Sequence, residues 1–552
     1  FFSMTLFVSS RWWILSLFFL IFLCAIALRV YNIDTAPPGI YPDEAVNGMN
    51  AYDALTSGNY QWFYPDNNGR EGLFVNLIAL SFFLFDVSFF SFKLPSIFFG
   101  VLTALGTGLF AYEMFYSTRW RVHAFFIGFF LLSTSFWSLV FSRIAFRAVA
   151  MPTVLVFSGY FLLLGVRTLR FRYFAISGFI FGLGLHTYIS FRIAPLIFLF
   201  FACGLLFIYR NFLSRYWKHG VLFLAFSILS MTPILVTFIQ HPEFLTSRSA
   251  SISVFSSQDS LSGTLSTLSE TLSLSIGKYN FWGDQNWRHG FPPYPTLEPF
   301  VGVLFLFGLC LSFYQFIRLT VLRLAEHQRV SIPSLFQTPS DHHVSCAHLS
   351  WLPTHFLLLA WFFSMLVPEF LTVEGLPHSL RSIGTLPVVY LFALLGLFTI
   401  LELTRRHSVT LFRFSFVFLL LVVVYSGVFD SVKYHVYWAH NTNTAEAFNK
   451  NLTDIGLAIK QDRTSPGQRY VIAGPLERVV VKLLTTSVDN VVYVYSEQVD
   501  TLIHPNGSFV VYLSSYDDAI INNLFDRFPE GHITSYDNTL NSRFWIFTNT
   551  SQ

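Results

Sequence analysis

The chain has 552 residues, of which 53% are hydrophobic, 19% aromatic and only 12% charged. Because a soluble protein carries about twice that fraction of charged residues, this composition excludes an ordinary soluble globular protein. The net charge of +3 says little about partners, so the distribution of charge along the chain matters more than its sum. Apolar runs of roughly 17 to 25 residues, long enough to cross a bilayer core, recur over residues 1–430 and predict an α-helical polytopic membrane protein.

Eleven apolar runs are predicted to span the membrane. They lie near residues 12–30, 94–115, 122–141, 148–166, 173–190, 192–209, 220–239, 297–317, 351–370, 383–401 and 409–428. A twelfth run, 72–86, has 15 residues. A helix of that length is roughly 22 Å long, which is short for a span, so we expect it to be interfacial or re-entrant.

The basic residues support this topology. With 72–86 left out of the count, the Lys and Arg clusters of the short loops all fall on one side, which the positive-inside rule identifies as the cytoplasm. A chain with twelve spanning helices would place the clusters after residue 86 outside. The eleven-helix arrangement puts the polar loop 31–93 and the segment 240–296 on the outer face. The leucines that predict an amphipathic helix on the membrane surface within this segment are Leu261, Leu265, Leu268 and Leu272.

Residues 431–552 have the composition of a soluble domain and follow the last predicted span on the outer side. Helical patterns near 444–461, 476–486 and 517–528 alternate with candidate strands, which predicts a small α/β sheet domain. No glycine-rich phosphate-binding loop opens it. We therefore divide the chain into a transmembrane domain, 1–430, and an extracytoplasmic α/β domain. The predicted strands are 468–473, 490–495, 508–513 and 542–547.

The first outer loop has the highest density of residues that could carry chemistry. Asp43 and Glu44 are adjacent, follow Pro42 and lie close to the outer end of the first helix. A helical pattern runs from Glu44 to about Leu55, so the local interpretation is that Asp43 is the N-cap of a helix. The alternative is that the pair belongs to an active site where water and bilayer meet.

The sequence that follows favours the second interpretation. Arg70-Glu71-Gly72 opens the short apolar run, and Lys93-Leu94-Pro95-Ser96 begins the next helix. Together with the Asp43-Glu44 pair after the first helix, this pattern resembles the membrane glycosyltransferases of the GT-C fold. It is most similar to the protein O-mannosyltransferases and the lipid A aminoarabinose transferase, the group of glycosyltransferase family 39. The resemblance covers most of 12–430 and is strongest over 31–115.

The resemblance implies an inverting enzyme that transfers a monosaccharide from a polyprenyl-phosphate donor to an acceptor hydroxyl, on the outer face of a bacterial cytoplasmic membrane. The implied partners are the polyprenyl-phosphate sugar, a protein or glycolipid acceptor and membrane lipid, with no nucleic acid. In this family the Asp matching Asp43 is taken as the catalytic base. A carboxylate within hydrogen-bond reach takes the proton of a hydroxyl as it attacks.

The departing polyprenyl phosphate gains negative charge in the transition state, and fixed cations stabilise that charge. Arg381 resembles the position at which family members carry a basic residue against the carrier phosphate. For each Arg the alternative is an interfacial residue whose head group reaches into water. The other basic candidates on the predicted outer face are Arg70, Arg143, Arg147, Arg192, Arg288, His289 and His378.

Five further residues are predicted to bind substrate. His186 and Tyr188 lie at the outer end of a predicted helix, where a polar cluster usually lines a cavity. Trp287 offers an aromatic plate for a sugar or a lipid chain, or it belongs to an interfacial tryptophan belt. Glu44 and Glu71 would position the acceptor or hold a divalent metal. Some GT-C enzymes use a metal and others do not, and the spacing of these two carboxylates establishes no site.

The competing function is a membrane transporter or a flippase for lipid-linked sugars. Transporters place charges near the bilayer midplane, often in two related halves. Here the charges cluster at the outer ends of predicted helices and no internal repeat is visible, which favours the transferase. An inactive scaffold of the same fold is the third interpretation.

Overall fold

The computed structural model describes most of the chain. The described residues are 11–67, 69–208, 211–246, 261–326, 352–462, 467–502 and 507–549. Residues 247–260 of the predicted outer segment 240–296 therefore lie outside the described residues, as does the first residue of the predicted run 351–370.

Among the described residues before 433, the regular secondary structure is helical apart from one short hairpin. Its helices are α1 (Arg11–Val30), α2 (Pro42–Ser57), α3 (Gly72–Phe85), α4 (Phe89–Met114), α5 (Arg121–Thr134), α6 (Phe136–Ser142), α7 (Ala150–Thr168), α8 (Phe171–Leu183), α9 (Pro195–Ile208), α10 (Phe212–Gln240), α11 (Glu243–Thr246), α12 (Leu261–Gly277), α13 (Pro299–Glu326), α14 (Leu352–Phe370), α15 (Leu386–His407) and α16 (Val409–Val432). The hairpin strands are β1 (Phe63–Tyr64) and β2 (Arg70–Glu71).

Eight segments of the described residues are long and apolar enough to cross a membrane, and α5 and α6, bent by 60° to each other, form a ninth. The chain is an integral membrane protein. Over the described residues every predicted run corresponds to a helix, but α8 and α14 are not among these segments, so the count of eleven stays a prediction. The helix of the twelfth run, α3, has 14 residues, in keeping with its omission from that count.

Helix α2 begins and ends where its sequence dictates. Pro42 occupies the first turn, where its missing N–H is not needed. The Glu44 side chain accepts a hydrogen bond from the backbone N–H of Tyr41, which is the N-cap residue. The prediction that Asp43 is the N-cap is therefore wrong, since Asp43 lies inside the first turn. Gly58 ends the helix with a φ of 74°, a conformation that favours glycine.

The described residues after 441 form five α-helices and a five-stranded mixed sheet. Strands β4, β3 and β5 are parallel, and β7 pairs antiparallel with both β5 and β6. The elements are α17 (Thr442–Ala447), α18 (Lys450–Gln461), β3 (Gln468–Ile472), α19 (Glu477–Leu484), β4 (Val491–Val494), α20 (Val499–Leu502), β5 (Phe509–Leu513), α21 (Asp518–Arg527), β6 (His532–Asp537) and β7 (Arg543–Asn549). All four predicted strands are present, and β6 is a fifth strand that the sequence did not predict.

This sheet region packs directly on α2. The backbone N–H of Ile40 donates to Thr453 Oγ1 at 2.9 Å. Gly48, in the middle of α2, approaches α19 so closely that a Cβ atom there would lie 2.7 Å from a methyl group of Leu483. The C-terminal region thus packs against the helix that carries Asp43.

Candidate functional site

The first turn of α2 presents the Asp43 side chain, which is 31% exposed. Pairing of β1 with β2 places the buried Arg70 beside it. Arg70 Nη1 donates to the Asp43 backbone carbonyl at 2.6 Å, and Nη2 lies 3.3 Å from Asp43 Oδ1. Arg70 also donates to Asn47 Oδ1, and the Asn67 amide donates to Asp43 Oδ1. Charge-assisted hydrogen bonds therefore orient a carboxylate that remains accessible to solvent.

Glu44, the neighbouring carboxylate, is fully buried. Its Oε2 accepts the backbone N–H of Ala145 at 2.7 Å, and its Oε1 accepts that of Tyr41 at 3.3 Å. Burial raises the pKa of Glu44 to about 7, against the opposing effect of the buried Lys93 ammonium. Two adjacent carboxylates thus differ in environment: Glu44 ties α2 to the loop after α6, while Asp43 faces solvent.

Glu71, on the same hairpin, belongs to a second group of predicted residues. Its Oε2 lies 2.6 Å from Arg147 Nε, and both side chains are buried. The Arg147 guanidinium also lies over the Tyr188 ring at 5.4 Å. His186 Nε2 is 2.9 Å from the Ser230 carbonyl, and Arg192 Nη1 donates to the Leu245 carbonyl at 2.8 Å. We call Glu71, Arg147, His186, Tyr188 and Arg192 the hairpin group.

Arg143 is fully buried, so it is not an interfacial residue whose head group reaches into water. It also lies outside the hairpin group. Its guanidinium donates to the backbone carbonyls of Leu28 at 2.8 Å, Tyr31 at 2.6 Å and Ala36 at 2.8 Å. It also lies 3.1 Å from the Tyr434 hydroxyl. These contacts fix the end of α1 to the end of α6. The observed contacts of Arg143 therefore hold the backbone in place.

The remaining predicted residues meet in a third group, formed by the loops after α12 and α14. The Arg288 guanidinium stacks on Tyr41 at 4.1 Å, next to the first turn of α2. The His289 ring stacks on Phe141 at 5.6 Å and on His378 at 4.9 Å. Trp287 packs against Phe291, and its backbone carbonyl accepts the Trp438 indole N–H at 2.9 Å. Trp287 therefore packs at the edge of this group.

Arg381 lies in the loop after α14. It donates from Nη1 to Thr372 Oγ1 and to the Glu374 backbone carbonyl, each at 2.6 Å. The charges of Arg288 and Arg381 both lower the pKa of His289, and the charge of Asp43 raises it. Burial is the largest cause and brings this pKa to about 3, so His289 is neutral. Arg288, stacked on the residue that caps α2, thus brings the third group next to Asp43, and we call Asp43, Arg288, His289, His378 and Arg381 the loop cluster.

Two buried carboxylates that sequence reasoning did not select hold the loop cluster in place. Asp284 Oδ2 accepts the backbone N–H of Ser379 at 2.6 Å, and burial raises the pKa of Asp284 to about 7. Glu369 Oε1 accepts the backbone N–H of His378 at 2.9 Å, while its other oxygen forms a fully buried ion pair with Lys278. The loop after α14 is therefore anchored from both sides.

Comparison with known proteins identifies the architecture. The sequence matches no protein-family model and no curated protein. The crystal structure of ArnT from Cupriavidus metallidurans bound to undecaprenyl phosphate superposes with a TM-score of 0.53 at 13% identity, covering 99% of each chain. ArnT is a lipid A aminoarabinose transferase of the GT-C fold. The chain has the GT-C fold.

Two further solved structures are similar to this GT-C chain at lower TM-scores. Apo ArnT from the same organism gives a TM-score of 0.49 at 13% identity and 97% coverage of both chains. The oligosaccharyltransferase AglB from Archaeoglobus fulgidus gives 0.49 at 14% identity, covering 86% of this chain and 64% of AglB. The predicted resemblance to GT-C proteins is confirmed at the level of the fold.

In this GT-C chain ten of the fourteen predicted residues thus lie in the loop cluster or the hairpin group. Arg70 contacts Asp43, Trp287 precedes Arg288 in the same loop, and Glu44 and Arg143 form hydrogen bonds with backbone groups. The loop cluster and the hairpin group meet at the hairpin, where Arg70 contacts Asp43 and the adjacent Glu71 contacts Arg147. Sequence reasoning missed Asn67, Asp284 and Lys278. Asp284 lies in the same predicted outer segment as Trp287, whereas nothing in the sequence relates Lys278 to its partner Glu369, 91 residues away.

Proposed function

We propose that the protein is an integral membrane glycosyltransferase that transfers a monosaccharide from a polyprenyl phosphate to an acceptor hydroxyl, with Asp43 as general base. The observation that carries this proposal is the placement of Asp43. It is a partly exposed carboxylate, held by Arg70 and Asn67, and it lies next to Tyr41, on which Arg288 of the loop cluster stacks. A base and cations for a leaving phosphate are the two groups that this reaction needs.

The role of Asp43 follows from its surroundings. A hydroxyl is a poor nucleophile until a base takes its proton, and the base must be ionised, fixed and reachable. The Arg70 contact favours the ionised carboxylate, and the Asn67 contact fixes its orientation. Glu44 is a poorer candidate because it is buried and both of its oxygens accept backbone N–H groups.

The donor is proposed from chemistry and from the fold. The leaving phosphate gains negative charge as the glycosidic bond breaks, and Arg288 and Arg381 supply positive charge within the loop cluster. ArnT, whose fold this chain shares, was solved with undecaprenyl phosphate bound. Attack by the acceptor on the face opposite the phosphate in one displacement inverts the anomeric carbon. We therefore propose an inverting hexosyltransferase with a lipid-linked donor.

The proposed location is a bacterial cytoplasmic membrane with the site facing outward. The basic residues of the short loops define the cytoplasmic side, which leaves α2 and the C-terminal sheet region outside. That sheet region packs behind the helix carrying Asp43 and leaves its exposed carboxylate uncovered. A protein or a glycolipid is the proposed acceptor.

Substitution Asp43→Asn tests the base. Membranes containing the variant receive a radiolabelled polyprenyl-phosphate sugar and an envelope extract as the acceptor source, and transfer is measured. Loss of a general base lowers turnover by about 10²- to 10⁴-fold. The matched control is Asp53→Asn, the same change at an exposed position near the other end of α2. It should transfer sugar at the wild-type rate, and an Asp43→Asn protein as active as this control contradicts the proposal.

A labelling experiment tests the orientation. The natural cysteines Cys24, Cys203, Cys310 and Cys346 are first replaced by serine. A single cysteine introduced at Phe90 should then react with an impermeant maleimide applied to intact cells, while one introduced at Thr118 should stay unlabelled until the cells are broken. The reverse pattern would mean that α3 crosses the membrane and that the proposed topology is wrong.

A further inference from the structure

Four basic side chains form an exposed patch at the start of two helices. Arg170 and Arg172 flank the first residue of α8, while Arg215 and Lys218 lie in the first two turns of α10. All four are exposed, and none forms an ion pair with a carboxylate among the described residues. The nearby Arg167 differs from them, since it pairs with Glu113. We call Arg170, Arg172, Arg215 and Lys218 the basic patch.

The sequence around the basic patch supplies no acidic partner. Residues 114–242 contain no Asp or Glu. Glu113, which directly precedes this range, is buried and already pairs with both Arg121 and Arg167. The positive charge of the patch is therefore not balanced by an ion pair within the described part of the chain.

Helices α8 and α10 run in the same direction and pack tightly. A Cβ atom at Gly178 of α8 would overlap the carbonyl oxygen of Phe223 in α10. Four residues further along α8, a Cβ atom at Gly182 would overlap the carbonyl oxygen of Ser227, which is four residues further along α10. The two helices are therefore parallel, and the positive ends of both helix dipoles lie on the same side of the molecule.

Neither helix start is neutralised by its own sequence. The first turns of α8 and α10 contain no acidic residue, and the side chains of the N-cap residues Arg170 and Asn211 accept no hydrogen bond from the helix. Anions and acidic side chains stabilise a helix start, whereas cations do not. An anion bound between the two helix starts would offset both the dipoles and the charges of the basic patch.

His219 joins the two helix starts and has a polar atom without a partner. Its ring stacks on Phe171 of α8 at 4.3 Å, and its Nε2 lies 3.3 Å from the Leu169 carbonyl. His219 is only 7% exposed, and its Nδ1 is buried and forms no hydrogen bond among the described residues. Buried polar atoms are normally paired. Because Nε2 donates to a carbonyl, Nδ1 is an acceptor, and a hydroxyl group would satisfy it.

We propose that the basic patch and His219 bind the headgroup of an anionic phospholipid of the phosphatidylglycerol class. The phosphate would contact the cations, and a glycerol hydroxyl would donate to His219 Nδ1. Phe171, Leu213 and Trp217 belong to the same helix starts and are each more than half exposed. Apolar and aromatic side chains beside cations suit the boundary between lipid and water, which favours a lipid over a free phosphate. The proposed topology places this site in the cytoplasmic leaflet.

The competing explanation is that the four cations are solvated residues that only orient the chain in the membrane. They would then attract anionic lipid no more strongly than other exposed cations on the same predicted side. Arg406 and Arg413 are two such cations. The variant Arg406→Gln/Arg413→Gln is therefore the matched control, since it removes two positive charges while Glu402 keeps its ion pair with Arg405.

The test is native mass spectrometry of the full-length protein in detergent, titrated with phosphatidylglycerol or with phosphatidylcholine. We expect the wild type to retain one molecule of phosphatidylglycerol and no phosphatidylcholine at the same concentration. Each basic residue near an anionic lipid surface contributes about 5-fold to affinity. Arg170→Gln/Arg172→Gln and Arg215→Gln/Lys218→Gln should therefore each weaken binding by about 30-fold, while the control variant binds like the wild type.

A second measurement needs no variant. Phosphatidylglycerol should raise the unfolding temperature of the wild type in detergent and phosphatidylcholine should not, because a ligand that binds the folded state stabilises it. Equal retention of the two lipids by the wild type overturns the proposal, and so do patch variants that bind phosphatidylglycerol as tightly as the control. Displacement of the lipid by an equal concentration of inorganic phosphate would also overturn it. Neither readout involves sugar transfer, so these results are independent of whether Asp43 is a catalytic base.

Discussion

The buried Glu44 gives a pH-dependent stability that can be calculated from its environment. Burial raises its pKa from 4.5 to about 7 in the folded chain. The folded protein therefore holds this proton more tightly than the unfolded chain, so the associated stability is full below pH 4.5 and is lost as the pH rises through 7. Between pH 5 and pH 8 the loss is about 2 to 3 kcal/mol, since each unit of pKa difference is worth about 1.4 kcal/mol.

Glu44→Gln removes this titration while keeping the shape of the side chain. At pH 5 the variant should be less stable than the wild type by about 1 kcal/mol, because the amide has only one oxygen for the N–H groups of Tyr41 and Ala145. At pH 8 it should be more stable than the wild type by about 1 to 2 kcal/mol, because only the wild type loses stability as the pH rises through 7. Denaturant unfolding in detergent at both pH values measures the difference.

The control for this prediction is Asp53→Asn, which neutralises an exposed carboxylate on the same helix. Its stability relative to the wild type should change little between pH 5 and pH 8. If the difference between wild type and Glu44→Gln were also constant across this range, Glu44 would be ionised throughout and the reasoning from burial would be wrong.

Two further substitutions test packing around the site. Gly48→Val places a side chain against Leu483 and should lower stability by about 1–3 kcal/mol and reduce sugar transfer. Its control, Gly220→Ala, adds a methyl group where no other atom lies within 4 Å, and thermal unfolding in detergent should separate the two variants. Lys278→Met leaves the Glu369 carboxylate buried without its partner and should cost about 3–5 kcal/mol. Adding Glu369→Gln, which removes the charge and keeps an oxygen for the His378 N–H, should restore most of that stability. Failure to do so would mean that the unpaired charge is not the cause.

The elements of the fold were predictable where one physical signal dominates. Each predicted apolar run corresponds to a helix over the described residues, and segments rich in β-branched or aromatic residues located β3, β4, β5 and β7. Strand β6 was missed because five of its six residues are exposed or nearly so, which removes the alternation that marks a strand. The number of spans was not decided, because α8 is short and followed by a 3₁₀ turn, Gly184–His186.

The candidate site was predictable only in part, and for a physical reason. Residue type and the predicted outer face were sufficient to select Asp43, Arg288, His289 and Arg381, which the structure joins in one cluster. The same criteria also selected Arg143, whose guanidinium is instead bound by backbone carbonyls. Whether an arginine lies in a wet pocket or between helices depends on contacts between residues more than 100 positions apart, and one sequence does not contain them.

The partner carboxylates show the same limit. Asp284 and Glu369 each anchor the loop after α14 through a backbone N–H, of Ser379 and His378 respectively. Their importance comes from burial, which makes an unpaired charge costly, and burial of a loop residue is decided by tertiary structure. The neighbours of Asp284 and Glu369 in the sequence do not show that these carboxylates are buried.

The most direct test of the central claim is a structure of the full-length protein in a lipid nanodisc with a non-transferable polyprenyl-phosphate sugar. We expect the phosphate to lie beside Arg288 and Arg381. The anomeric carbon should lie close enough to Asp43 for one acceptor hydroxyl to fit between them, with its oxygen at roughly 3–3.5 Å from the carbon and from the carboxylate. A phosphate bound at the hairpin group, or on the cytoplasmic side of the membrane, would contradict the account.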